Sequence, residues 1–284
     1  MKNILITGGV GFIGSNLAKE LVKKNYNVTS IDDYSFGSKK NEIDGVEYIK
    51  EDINNISNLK SKFDTCFHLA ALARVQLSYK DPSKYFKSNV NGTERVMEWA
   101  KKNKVKVVYA GSSSRHFNPS DSPYAMYKFL GEEICKLYKN SYNLNVEIAR
   151  FYNVYGPGEV VSEVNGNVIG IWRSKILQNK PLIIVGDGNQ RRDFTHVYDI
   201  VEGLIKIALT NKKHSDAWEL GTGNNYSVNE LFEMFNKRFN VKSEFVPDQQ
   251  GNYKKTLRKN DDMISQLNWK PKDRLSNYIE NLKL

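Results

Sequence analysis

Seven residues near the N-terminus constrain this chain more than any other feature. A short apolar run, Lys2–Thr7, leads into Gly8-Gly9-Val10-Gly11-Phe12-Ile13-Gly14, and a helical pattern follows over Phe12–Lys24. A second apolar run, Asn27–Asp32, ends on an acid. Strand, glycine turn, helix, strand and acid in that order predict a βαβ unit that holds a dinucleotide. Gly8, Gly11 and Gly14 permit a tight turn and close approach of the backbone to a pyrophosphate. That pyrophosphate sits on the helix opened by Phe12 and Ile13, where free N–H groups and the dipole favour anions. Asp32 accepts hydrogen bonds from ribose hydroxyls and repels a 2′-phosphate, so NAD is the expected cofactor. Lys39 and Lys40 leave NADP as the alternative.

Further apolar runs alternate with helical patterns. Strands are expected at Val46–Ile49, Thr65–Leu69, Val105–Ala110 and Asn145–Arg150, and helices at Lys84–Lys102 and Tyr124–Tyr142. This alternation predicts an α/β fold, a doubly wound parallel sheet of the Rossmann type. Beyond Asn153 glycines and prolines cluster, and helices are expected at Val168–Gln178, Asp199–Leu209 and Val228–Phe239. The expected division is a dinucleotide-binding domain over 1–152, with 193–222 returning to it. A smaller, mixed α/β, substrate-binding part spans 153–284 and covers the strand ends.

The 42 basic and 32 acidic residues leave a net charge of +10. Such a surface attracts anions, either nucleic acid or a phosphorylated small molecule. The excess is scattered lysine with no arginine-rich run, which argues against nucleic acid. The start of the chain faintly mimics a signal peptide, but Thr7-Gly8-Gly9 breaks the apolar run and it is read as a strand. No window approaches a membrane span. Cys66 and Cys135 are expected as buried thiols in a reducing cytoplasm. No His, Cys or Asp cluster has metal spacing.

After the strand ending at Ala110 comes Gly111-Ser112-Ser113-Ser114, with Tyr124 and Lys128 beyond it. The i, i+4 spacing places Tyr124 and Lys128 on one helix face. Lowering a phenol from its ordinary value near 10 by about 3 units takes about 4 kcal/mol. One ammonium at about 4 Å supplies roughly that much. Lys128 is therefore expected to hold Tyr124 partly as phenolate, a general base, with the Ser114 hydroxyl bridging it to substrate.

This constellation resembles the extended short-chain dehydrogenase/reductases, the NAD-dependent nucleotide-sugar epimerases and dehydratases. The resemblance includes Asp33-Tyr34-Ser35-Phe36-Gly37, Asp52-Ile53, His68-Leu69-Ala70-Ala71 and Asn89-Val90-Asn91-Gly92-Thr93. It continues through Arg150–Pro157, Gln190–Asp199 and Leu267–Pro271. It implies that Asp33, Asp52, Ile53, Leu69, Ala70, Ala71, Asn89 and Phe151 join the glycine loop around NAD. It implies that Asn153 and Arg192 hold a substrate diphosphate and that Asn167–Trp172, Val168 included, lines the nucleotide base. Asp193 is expected as a loop anchor, Asp199 as a helix cap and His68 as structural. Gln249 stands where relatives carry a phosphate-binding arginine, with Lys254 or Lys255 as its expected substitute.

Relatives share an opening step in which the tyrosine takes a proton from a sugar hydroxyl while hydride passes to NAD. Dehydratases place an Asp-Glu pair directly after the position of Ser114, and decarboxylases a glutamate at the position of His116; this chain has Arg115 and His116. The expected reaction is therefore 4-epimerisation of a nucleotide-diphosphate sugar, most simply a UDP-hexose. Arg115 and His116 are expected to bind substrate hydroxyls or a carboxylate. The alternative is a 4-keto-sugar 3,5-epimerase/4-reductase with His116 as acid/base. A non-catalytic nucleotide- or RNA-binding protein is the alternative of another class. A homodimer is expected through Val96, Met97, Met126, Leu130, Ile134 and Leu137.

Overall fold

The computed structural model describes residues 2–60 and 62–284. In chain order the first half reads β1 (Asn3–Thr7), α1 (Phe12–Lys23), β2 (Asn27–Asp32), β3 (Val46–Lys50), β4 (Thr65–His68), α2 (Val75–Lys80), α3 (Pro82–Phe86), α4 (Gly92–Asn103), β5 (Lys106–Ser112), α5 (Pro123–Tyr142) and β6 (Val146–Phe151). The second half reads β7 (Asn153–Tyr155), α6 (Val168–Leu177), β8 (Leu182–Val185), β9 (Arg191–His196), α7 (Val197–Leu209), β10 (Trp218–Leu220), β11 (Asn225–Ser227), α8 (Val228–Phe239), β12 (Ser243–Val246), α9 (Asp262–Leu267) and α10 (Leu275–Glu280).

Seven strands form one sheet in the order β10-β6-β5-β4-β1-β2-β3. Every pairing in it is parallel. Alternation along β1 explains how two layers of helix cover the sheet. Ile4 and Ile6 pack with Leu17 and Leu21 of α1 and with Ile200 and Leu204 of α7. Leu5, between them, packs with Val96 and Met97 of α4 and Cys135 of α5 on the other face. The chain reverses direction across the sheet between β1 and β4, and ligand crevices form at such switch points. Beyond the strand ends, β11-β9-β7 and β12-β8 make two small sheets. Trp172, Leu231, Phe235 and Ile279 build a third core there.

Two local expectations are corrected. The helix expected over Lys84–Lys102 is present but longer, running without a break from Pro82, capped by Asp81, to Asn103, with a π-helical turn at Lys87–Asn91 between α3 and α4. The wide turn rotates Asn89 inward, and such turns recur at functional sites. Asp199 does not cap α7; His196 does, accepting from Tyr198 N at 3.2 Å. Asp199 lies inside the first turn and instead accepts from Lys272 N at 3.1 Å and from Arg274. Among the described residues no helix is long and apolar enough to cross a membrane.

Candidate active site

A cavity of about 590 Å³ lies at the C-terminal ends of the sheet strands, between the sheet and the second half of the chain. A smaller one of about 190 Å³ adjoins it and shares Gly8, Gly11 and Leu69. The glycine loop forms the floor. Gly8 adopts φ +78° and donates to Ile31 O at 2.9 Å. A Cβ on Gly14 would lie 2.1 Å from Gly8 O, so the turn closes only around glycine. Gly11 occupies the N-cap of α1 and supplies no side-chain acceptor. The first N–H groups of α1 therefore stay available, beside Phe12, Ile13 and Gly14, all of which line the larger cavity.

Asp32 ends β2 and is pinned on both oxygens, by Val10 N at 3.1 Å and Tyr34 N at 2.9 Å. Burial raises its carboxyl despite those two hydrogen bonds. Asp32, Asp33, Asp52, Ile53, Leu69, Ala70 and Ala71 all line the smaller cavity. Lys39 and Lys40 line neither cavity. An uncapped helix start, an acid fixed at the end of β2 and a glycine floor fit a dinucleotide without a 2′-phosphate. Asn89 departs from expectation. It lines neither cavity and clamps Leu72 through N (2.8 Å) and O (2.9 Å), so it shapes the loop after β4 from behind. His68 is structural as expected, bonded to Thr7 and Thr93 and pushed down to about 3 by burial.

Strand β5 delivers the serines and α5 the tyrosine. Ser122 caps α5 by accepting from Ala125 N at 3.1 Å, and Pro123 occupies the first turn. Tyr124 therefore begins the helix and faces the cavity, with Lys128 one turn later. The hydroxyl that meets the Tyr124 phenol is that of Ser112, at 3.4 Å, and not that of Ser114. Ser114 donates to Ser112 Oγ at 2.9 Å and also lines the cavity. Strand pairing with β6 carries β5 through Ser112, which brings this serine to the cavity rim.

The Tyr124–Lys128 electrostatics also correct the expectation. Burial raises the Tyr124 phenol, and the charge that opposes this is Arg74. Lys128 reaches back to donate to Ala110 O and lies over the Tyr109 ring at 4.6 Å. Burial pushes its ammonium down to about 8. Proximity along the helix does not by itself aim the long lysine stem at the phenol, because a strand-end carbonyl lies within the same reach.

Arg115 and His116 turn away from the larger cavity. The Arg115 guanidinium lies 4.0 Å over the Phe129 ring and 2.7 Å from Glu133. His116 Nε2 contacts Glu219 Oε1 at 2.5 Å. Neither residue lines the cavity. A 3₁₀ turn at Ser113–His116 folds the short loop toward Glu132 and Glu133 of α5 and Glu219 of β10.

Asn153, Phe151, Val168 and Arg192 line the cavity. Arg192 donates to Tyr253 O and Asn252 Oδ1, each at 2.5 Å, and burial brings it down to about 10. Gln249 lines the cavity and Lys254 and Lys255 do not. Asp193 anchors its loop, accepting from Thr222 N (2.9 Å), Gly223 N (3.0 Å) and Arg258 N (3.1 Å). Sequence reasoning missed Ser112, Arg74 and Tyr152, all of which line the cavity. Ser112 had a signal in the serine run, but choosing among three serines needs the strand register.

The profile of the NAD dependent epimerase/dehydratase family matches residues 4–221. A putative UDP-glucose 4-epimerase of Methanocaldococcus jannaschii is 34% identical over 264 residues, covering 86% of this chain and 85% of that protein. The solved UDP-N-acetylglucosamine 4-epimerase of Methanobrevibacter ruminantium, in complex with UDP-N-acetylmuramic acid, superposes with a TM-score of 0.89 at 28% identity, covering 98% of this chain and 96% of that one. The UDP-glucuronic acid 4-epimerase of Bacillus cereus, in complex with UDP-glucuronic acid and NAD, gives 0.87 at 28% identity over 98% and 96%. Glycine floor, pinned acid, phenol and serine sit together on a fold shared along nearly the whole chain, which belongs to the NAD-dependent epimerase/dehydratase family.

Proposed function

We propose that this protein is a nucleotide-sugar 4-epimerase acting on a UDP-hexose with tightly held NAD. The observation that carries this reading is the Tyr124–Ser112 pair at the cavity wall without an acidic partner beside it. Among the described residues, no Asp or Glu lines the larger cavity, so elimination of water lacks a carboxyl acid and base there. His116 is bonded to Glu219 outside it, which favours this reading over the C3/C5 alternative.

NAD held there would supply the acceptor for the hydride of the sugar carbon and the donor for its return. The chain's own residues do the rest. Gly8, Gly11 and the start of α1 hold the pyrophosphate, and Asp32 the adenosine ribose. Tyr124 takes the proton of the C4 hydroxyl and later restores it, with Ser112 hydrogen-bonding the same oxygen. Lys128, one turn on, holds a cation beside this end of the cavity. Arg192 and Asn153 bind the diphosphate, the arginine exchanging the Asn252 and Tyr253 oxygens for phosphate. A ring free to turn between departure and return of the hydride gives inversion at C4. Run in D₂O with UDP-glucose, the reaction should form the C4 epimer with no deuterium at C3 or C5 by NMR. Label at either carbon sinks simple 4-epimerisation and revives the 3,5-epimerase reading.

A homodimer in the cytoplasm accompanies this reading. Val96 and Met97 are consumed by the protomer's own core, so they leave the expected interface. Leu137 of the expected set, 52% exposed, stays in it, joined by Tyr142 of α5 at 52% and Phe86 of α3 at 40%. Buried free thiols at Cys66 and Cys135 suit a reducing compartment. Sedimentation should give a species of about twice 32.6 kDa; a 32.6 kDa species at micromolar concentration contradicts the dimer.

A further inference from the structure

Three cations and no acid, among the described residues, line the larger cavity: Arg74, Lys128 and Arg192. Two are spoken for by the protein. Lys128 is bonded to Ala110 O, and Arg192 holds Asn252 and Tyr253. Arg74 differs. Its side chain makes one hydrogen bond, from Nε to Asn165 O at 2.7 Å, which leaves both terminal nitrogens of the fork uncommitted. Among the described residues no carboxylate pairs with its guanidinium, and the ionisable groups beside it are the phenols of Tyr124 and Tyr85. A partly buried guanidinium without a counter-anion is costly unless a ligand supplies one.

Its position says where on the substrate that anion lies. Arg74 and Tyr124 line the same cavity, and Arg74 is the cation that bears on that phenol. In the 4-epimerase reading that phenol meets the C4 hydroxyl. In a hexopyranose the C6 group hangs from C5, next to C4, whereas the diphosphate hangs from C1 across the ring. Arg192, held by the Asn252–Tyr253 segment, is the candidate for the diphosphate.

Resting on that reading, we propose that Arg74 binds a carboxylate at C6, so that the preferred substrate is a nucleotide-diphosphate hexuronic acid and not a neutral hexose. A planar fork with two free nitrogens matches a carboxylate in bidentate fashion. Arg115, expected from sequence to meet such a group, is engaged with Glu133 and Phe129 and does not reach the cavity.

The test uses the NAD-loaded protein with UDP-glucuronic acid and UDP-glucose as probes, in binding by calorimetry and in turnover by NMR. UDP-glucuronic acid should bind and react ~10–100-fold better than UDP-glucose, the size of a charge-assisted hydrogen-bond pair. Arg74→Gln should collapse that ratio to within about threefold of unity, and Arg74→Lys should restore part of it. An equal loss on both sugars assigns Arg74 to the diphosphate and overturns the proposal. Wild-type preference for UDP-glucose overturns it as well. If the acid binds preferentially through Arg74 yet neither sugar is inverted at C4, the carboxylate site stands and the 4-epimerase reading falls.

Discussion

Tyr124→Phe lowers kcat by at least ~100-fold, the loss that follows removal of a positioned general base. The fold gives no reason for any other large effect. The lost hydroxyl makes one long hydrogen bond, 3.4 Å to Ser112, so the urea midpoint should stay within about 0.5 kcal/mol of wild type. KM should change little, because the hydroxyl acts on the proton in flight and not on the resting sugar. Ser112→Ala follows with a ~10-fold loss, and Ser114→Ala with a smaller one, since the phenol's hydrogen bond is to Ser112 and Ser114 bonds to Ser112. Burial raises the phenol, so the basic form is scarce at neutral pH and the rate should climb as pH rises from 7 to 9. Activity of Tyr124→Phe within tenfold of wild type removes the assigned base.

The second large effect concerns stability. Arg150 is 2% exposed and bridges two buried acids and a surface one. Its Nη2 donates to Glu132 Oε2 at 2.8 Å, its Nη1 to Asp216 Oδ2 at 2.5 Å, and Glu219 Oε1 lies 3.7 Å away. Arg150→Met leaves Glu132 and Glu219, both fully buried, short of their shared cation. Breaking one partner from a buried ion pair costs about 3–5 kcal/mol, because the remaining charge is uncompensated. Arg150→Lys, which keeps the charge and loses the fork, should cost less. The sign with pH follows from the carboxyls. Burial by itself raises Asp216, but hydrogen bonds from Arg150 and Lys136 outweigh it and hold the group below its ordinary range. A depressed carboxyl stabilises fully above its unfolded value near 4 and loses that contribution as pH falls below it. The deficit of Arg150→Met should therefore be largest at neutral pH and shrink below about pH 4. A urea midpoint within 1 kcal/mol of wild type contradicts the account.

The dinucleotide half was legible because its physics is local. A strand, a glycine turn, a helix start and an acid lie within 32 residues, and each constraint acts on its sequence neighbours. The bounds of β2 and α8 read from periodicity match the structure. What failed depends on partners distant in sequence. Asn89 pointed away from cofactor because a π turn, invisible to periodicity, rotated it toward Leu72. His116 and Arg115 lie outside the larger cavity, bonded to Glu219, 103 residues away from His116, and to Glu133 on α5. Lys128 found a strand carbonyl before it found the phenol. Arg74 carried no sequence signal, since a lone arginine after an alanine run reads as surface; only the lining of the cavity shows it without an acid.

The most direct test of the central claim follows a label on the carbon that is oxidised. UDP-hexose deuterated at C4 is incubated with the purified, NAD-loaded protein and examined by NMR. The account predicts that the C4 epimer forms with deuterium still on C4 and with no accumulation of NADH. Loss of the label to solvent, or an epimer that forms without any change at C4, would contradict it.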